Sequence, residues 1–448
     1  MEENGTGIRL FSNTDLRKLI FPLIIEQILA VSVGMVDTMM VSSVGEAATS
    51  GVSLVDMINI LFINIFAAVS TGGAVVASQY LGQKRRDRAC QSANQLIIIT
   101  GVLSVCIMAV CIVFRKGFLE LLYHGIADDV MANARTYLVI SAVSYPFLSV
   151  YNSCAALFRS MGNSKISMQA SIIMNIINVI GDSLFIFVFH WGVAGAALAS
   201  LISRMTACFI LMYRLRNRNL EIYIGGGFKI NRRMMKQILH IGIPGGIENS
   251  IFQLGRVLVV GIIAMFGTTQ IAANAIANNL DGMGVLPGQA MNLAMITVVG
   301  RCVGAGDFEQ AEYYARKMMK ITYVVNALCC IAVILTMPLT LRLYGLSQET
   351  LRLGAVLVLI HDGCAILIWP VSFCLANVLR AANDVKFPMC VSILSMIVFR
   401  IGFSFVLAVG LGMGAVGVWW AMIADWVVRS VFFAWRFMSG KWKTFYHT

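Results

Sequence analysis

Twelve apolar stretches, each long enough to cross a bilayer as a helix, follow one another along this 448-residue chain. Hydrocarbon offers no water to the backbone, so each crossing must satisfy its own N–H and C=O groups, which only helices and closed barrels do. The runs are long, and only seven prolines interrupt them, which selects helices. The expected spans are 16–43, 52–81, 91–114, 133–159, 165–189, 194–216, 237–265, 270–300, 317–341, 351–379, 387–410 and 415–437. Composition agrees: 58% of residues are hydrophobic and 12% charged, with a mean hydropathy of +0.80, which excludes an ordinary soluble domain. Residues 1–18 are polar and mixed in charge, and the first apolar run is too long for a signal peptide, so it is expected to remain as a span. The eleven cysteines are scattered without a CxxC pair and read as small core residues rather than a disulfide or metal framework.

Lysine and arginine give an expected orientation. The N-terminus, the loops after helices 2, 4, 6, 8 and 10 and the C-terminal tail carry 25 of the 34, whereas Arg115, Lys116, Arg135, Arg342 and Arg352 lie on the other side. The positive-inside rule then predicts a multi-pass plasma-membrane protein with both termini cytoplasmic. The net charge of +12 reads as this topology signal and as affinity for anionic membrane lipids, with no nucleic-acid partner expected. Arg204, Arg256, Arg400 and Arg429 fall inside spans.

The chain also repeats itself. An offset of 222 superposes Pro22 on Pro244, Glu26 on Glu248, Gly45 on Gly267, Gly82 on Gly304 and Ala89 on Ala311; an offset of 221 brings Arg159 onto Arg380, Lys165 onto Lys386 and Ser171 onto Ser392. The expected fold is therefore an all-α membrane protein of two six-helix bundles, residues 1–216 and 237–448, joined by a basic cytoplasmic linker at 217–236. Six is even, so the halves share one orientation and form a parallel repeat, an architecture suited to alternating access.

Residues 171–184 (SIIMNIINVIGDSL) carry the most distinctive chemistry. Asn175, Asn178 and Asp182 fall on one helical face at ~100° per residue. The asparagines alone would serve equally well as hydrogen-bonding glue between helices. Asp182 carries more weight, because an ionisable residue in mid-membrane costs at least ~2.5 kcal/mol. In helix 1, Glu26 and Asp37 return to one face ~16 Å apart along the axis. Pro22 removes a backbone donor where that helix begins, either bending it or occupying its first turn. Asp37 facing Asp182 would make an oxygen-rich pocket in which Na⁺ and H⁺ compete. The repeat lacks this site: at an offset of 222 Asp37 aligns with Val259, while at 221 Asn178 and Asp182 align with Phe399 and Phe403. Arg400 is expected to pair with Asp425 or Asp362.

Other polar groups inside spans are candidates for lining the cavity, for gating, or for packing alone. Asp56 and Asn59 align with Asn278 and Asp281, an exchange of acid and amide that points to a shared position between the bundles. Glu248, Asn249 and Arg256 read as a local network, and His361-Asp362, in the outer half of helix 10, could exchange protons but reads first as a hydrogen-bonded interfacial pair. Asn152 is a further cavity candidate on weak grounds. No GxxxxGK[ST] loop, HExxH, paired metal-ligand histidines or serine–histidine set at helical spacing is found, so neither an ATPase nor another enzyme is expected, and no cofactor. Apart from Na⁺ at the cation site, no metal is expected. Twenty-six methionines and 25 phenylalanines offer surfaces suited to lipophilic or cationic small molecules.

These residues carry a resemblance. Pro22 through Glu26-Gln27 to Val36-Asp37-Thr38-Met39, the segment Leu157 to Lys165, and Asn178 to Asp182 followed by Gly192 to Ala197 resemble the MATE (multidrug and toxic compound extrusion) family, in particular its DinF-like prokaryotic branch. The resemblance implies twelve helices in a V of two bundles, a location in a prokaryotic inner membrane, and export of organic cations and other drugs driven by inward Na⁺ or H⁺. It implies that Asp37, Asn178, Asp182 and Ser200 act as cation ligands and Pro22 as a bending proline. A monomer is expected. A lipid-linked saccharide flippase of the broader superfamily, favoured by a cationic cavity, and a non-transporting receptor stay open as alternatives.

Overall fold

The structure, a computed structural model, describes residues 9–122, 127–225, 229–342 and 345–446. Among the described residues no strand occurs. Ten helices are long and apolar enough to cross a membrane, and two bent pairs bring the count to the expected twelve. In chain order they are α1 (Asn13–Ser42), α2 (Glu46–Gly82), α3 (Arg86–Val113), α4 (Asp128–Ser160), α5 (Ser164–Val188), α6 (Gly192–Leu215), α7 (Arg232–Ala264), α8 (Thr268–Gly284 with Leu286–Gly304), α9 (Phe308–Arg342), α10 (Gln348–Ala365 with Pro370–Ala381), α11 (Lys386–Gly410) and α12 (Gly414–Met438). Local chemistry sets the ends and breaks. Ser12 caps α1 in a reciprocal box with Asp15. Pro287 and Pro370 lack the N–H that the ladder needs and mark the bends of α8 and α10, of 48° and 64°.

Contacts divide the chain into two compact units. One is Phe11–Gly246, so the first part of α7 packs with α1–α6; the other contains Ile247–Thr448. In the first unit α4 packs on α2, α3 and α6, and α1 lies along α5. Gly72 and Gly242 let α2 and α7 touch: a Cβ on Gly72 would sit 2.5 Å from the Ile238 carbonyl, and one on Gly242 2.9 Å from Val69 Cα. The stretch before α7 is strapped along α3. Arg86 donates to the carbonyls of Arg218, Leu220 and Glu221, and Gln95 bonds both the Lys229 carbonyl and the Asn231 amide. In the second unit the two halves of α8 pack on α9 and α10, and α12 covers α10 and α11.

Both halves of the repeat place the same devices at the same positions. π-Helical turns occupy Ser183–Val188 in α5 and Phe405–Gly410 in α11, 222 residues apart. Gly195 and Gly417 pack where a Cβ would strike the widened backbone at Phe185 and Leu407. In the first unit Glu26 meets Arg159 at 3.4 Å, and in the second Glu248 meets Arg380. Each pair joins the first helix of its half to the end of the fourth. Glu248 thus binds Arg380 rather than Arg256.

Replacing Gly72 by Val should destabilise the protein by about 1–3 kcal/mol, because the added carbons meet backbone that cannot yield. Thermal melting followed by size-exclusion chromatography checks this, and Gly101→Val, at a glycine with open space, is the control. A double-mutant cycle of Glu26→Gln and Arg159→Met, read in the same melts, should return a coupling of about 1–3 kcal/mol.

Candidate functional site

Pro22 lies inside α1 rather than at its start, nine residues beyond Asn13. Its ring removes the amide that would have bonded the Lys18 carbonyl. The Ser164 hydroxyl at the head of α5 replaces it, donating to the carbonyls of Lys18 and Leu19 at 3.2 and 2.6 Å. One turn along, Glu26 accepts from Arg159 and, at 3.1 Å, from Ser167 of α5. The lower part of α1 is therefore pinned to α5. Glu26 is spent on this pin.

Further along the same pair of helices the carboxylates meet. Asp182 is buried at the end of the α-helical part of α5, where the π-helical turn begins. Asn178, one turn before it, donates from Nδ2 to Asp182 Oδ2 at 3.1 Å and lies 3.4 Å from Ser200 Oγ of α6. Asp37 of α1 brings its carboxyl against that of Asp182. No N–H or O–H donor reaches Oδ1 of Asp37 or Oδ1 of Asp182, and Nδ2 of Asn175 is likewise buried without a partner. Two facing carboxyls with undonated oxygens can hold a proton or a small cation between them, and carboxylate and hydroxyl oxygens suit a hard ion.

Asp56 of α2 extends this acidic interior. It accepts from Asn59 Nδ2 at 3.0 Å and faces Tyr137 of α4, while Asn59 accepts the Tyr145 hydroxyl at 2.7 Å. The charges of Asp37, Asp56 and Asp182 all act on Tyr137, and Arg204 of α6 is the cation among them, held through Ser144 Oγ at 2.7 Å. Three carboxyl groups against one guanidinium make a site that a bound proton or cation would neutralise. Arg204 was given no role from sequence, although its place one turn beyond Ser200 on α6 was the available signal. Asn152 is half-buried on α4 and outside the contacts that join these carboxylates.

The second unit is arranged differently. The matching π-helical turns put the end of α11 in register with α5 at an offset of 222, so Ser404 stands where Asp182 does, while Arg400 lies in a further π-helical turn, Met396–Gly402, opposite the α-helical stretch that carries Asn178. Asp425 of α12 bonds Arg429 at 3.1 Å and lies 3.8 Å from Arg400, with both guanidinium groups against the Phe252 ring. Asp425, not Asp362, is thus the partner of Arg400. On α8, Asn278 donates to the Asn274 carbonyl, Asn274 accepts from Trp419 Nε1, and Asp281 faces His361. Arg256 acts on both Asp281 and Arg400 from α7.

Comparison with known proteins matches this frame twice over. The family model described as MatE covers residues 22–184 and again 244–406. The chain is 28% identical over 432 residues to the Uncharacterized transporter YisQ of Bacillus subtilis, covering 95% of this chain and 94% of that protein. It is 25% identical over 437 residues to a Probable multidrug resistance protein NorM of Thermotoga maritima, covering 96% and 93%. Among solved structures, an outward-facing multidrug resistance MATE family transporter of the MOP superfamily superposes with a TM-score of 0.87 at 19% identity, covering 95% of each chain. A MOP superfamily transporter from Pyrococcus furiosus, described as having a binding pocket of reverse polarity, does so with a TM-score of 0.88 at 19% identity and the same coverage. With both halves of the repeat matched separately, the chain belongs to the MatE family of multi-pass membrane transporters.

Proposed function

We propose that this protein is a secondary active antiporter that exports organic cations and other drugs in exchange for inward Na⁺ or H⁺, by alternating access. The observation that carries this reading is the facing pair Asp37 and Asp182, each with an oxygen that no donor reaches, beside Asn178 and Ser200. Such a site holds one cation or proton at a time and changes its affinity as α1 moves against α5. Ion and drug drive one another only if each binds the two access states unequally. The pinned lower part of α1, with Pro22 and Glu26 fixed on α5, leaves the segment bearing Asp37 as the part free to shift. The relatives named for multidrug resistance support small-molecule substrates, and the lysine and arginine pattern supports a plasma-membrane protein with cytoplasmic termini.

A lipid-linked saccharide flippase would call for a cationic interior. Arg256, Arg400 and Arg429 stand near Asp281, Asp362 and Asp425 in the second unit, a balanced set that lends that reading less support.

In proteoliposomes, efflux of a fluorescent lipophilic cation under separately imposed Na⁺ and H⁺ gradients should fall by more than about tenfold in Asp37→Asn and in Asp182→Asn. The gradient that drives the wild type identifies the coupling ion. Flux unchanged in both variants would remove the proposed site.

A further inference from the structure

Asp281, His361 and Asp362 form a buried cluster in the second unit that no step of the proposed antiport uses. Asp281 ends the first half of α8, and His361 and Asp362 lie in the last turn of the first half of α10. The three are 9%, 4% and 0% exposed. His361 Nδ1 is 2.8 Å from Asp362 Oδ1, and Nε2 is 3.5 Å from Asp281 Oδ2. Asp362 Oδ2 has no hydrogen-bond partner. A neutral imidazole carries a single N–H. With both carboxylates ionised, one ring nitrogen would then turn its lone pair on a buried carboxylate oxygen. A second proton lets both nitrogens donate and halves the negative charge of the cluster, and Arg256, acting on Asp281 from α7, offsets the remainder.

The surroundings narrow the ligand to a proton. Cys330 of α9 lies beside Asp362, Arg400 of α11 and Asp281 act on one another, and α12 presents the rings of Trp419 and Trp426 to His361. Among the described residues no group of three His, Cys, Asp or Glu side chains is placed to hold a metal ion.

The place of the cluster in the fold gives it a task. The Asp281 carbonyl accepts from Val285 at the break of α8, and the Asp362 carbonyl accepts from Ile366 where the break of α10 begins, ahead of the bond from Ile368 to Cys364. A Cβ on Gly284 would sit 3.0 Å from Asp362 Oδ1, so the two helix ends touch there. At the break of α10 the Trp369 ring covers Gly288, at the start of the second half of α8. His361 therefore ties α8 to α10 where they bend by 48° and 64°.

We propose that His361, with Asp281 and Asp362, is a proton-binding site separate from the carboxylates of the first unit, and that its occupancy sets how the two broken helices pack. Loaded, the ring donates to both carboxylates and clasps the helix ends; unloaded, one contact turns repulsive and the clasp loosens. The site does not depend on Asp37 and Asp182 being a coupling site.

Two tryptophans report on it directly, since Trp426 and Trp419 lie edge-on to His361 with ring centres 5.0 and 5.8 Å away. An imidazolium quenches a neighbouring indole more than an imidazole does. A pH titration of tryptophan emission on the full chain in nanodiscs should show a step that is lost in His361→Gln, loses most of its amplitude in Trp426→Phe, and survives in the Asp37→Asn, Asp182→Asn double variant. A wild type with no step, a step that persists in His361→Gln, or one that disappears in the double aspartate variant overturns the proposal. Should His361→Gln fail to give monodisperse protein, Trp426→Phe decides: a step of full amplitude there overturns it.

Discussion

A charge inside a membrane-spanning bundle has no water to solvate it, so it must find an opposite charge, a set of hydrogen bonds or a bound ion. This constraint orders the interior. Glu26 with Arg159, and Glu248 with Arg380, are complete pairs, and each joins two helices of its own unit. Asp425 is shared between Arg400 and Arg429, with the Phe252 face taking part of the cationic load. Asp37 and Asp182 differ from these pairs, because each faces another carboxyl and keeps an oxygen without a donor. Under the proposed function, a bound proton or cation would meet there the requirement that structural pairs meet internally.

The two halves started from one plan and were specialised by few substitutions. The π-helical turns, the glycines packed on them and the Glu–Arg pins recur at matching positions. At the matched site, however, Asp182 of α5 corresponds to Ser404 of α11, the turn opposite Asn178 carries Arg400, and Arg204 of α6 has Asp425 of α12 one residue from its counterpart. Polarity is thereby reversed within a shared backbone. Pro287 and Pro370 add breaks in the second half at positions where the first half has Ile65, at an offset of 222, and Ser149, at the offset of 221 that aligns Arg159 with Arg380, and the Asp281–His361–Asp362 cluster sits at those breaks.

Much of the fold was legible because hydrocarbon makes the pattern severe: a run of about twenty apolar residues has few structures open to it. The twelve spans, the duplication, and the shared face of Asn178 and Asp182 all follow from local spacing. The bends did not, although Pro287 and Pro370 were visible, because a proline within an apolar run kinks, caps or merely bends a helix according to what packs beside it. The role of Arg204 was likewise hidden, since an arginine in a span names no partner.

The sequence by itself determined the class of fold, the repeat, the expected orientation and the residue types able to bind a cation, for these rest on hydropathy, spacing and charge along one chain. Only the tertiary structure decided which charges meet. Glu26 and Arg159 are 133 residues apart, and Glu248 and Arg380 are 132 apart; a helix face tells where a side chain is aimed but not which neighbour it finds. That choice is made by packing, where glycine contacts such as Gly72 with Gly242, the Ser164 hydroxyl filling the gap left by Pro22, and the π-helical turn beyond Asp182 set the helices against one another.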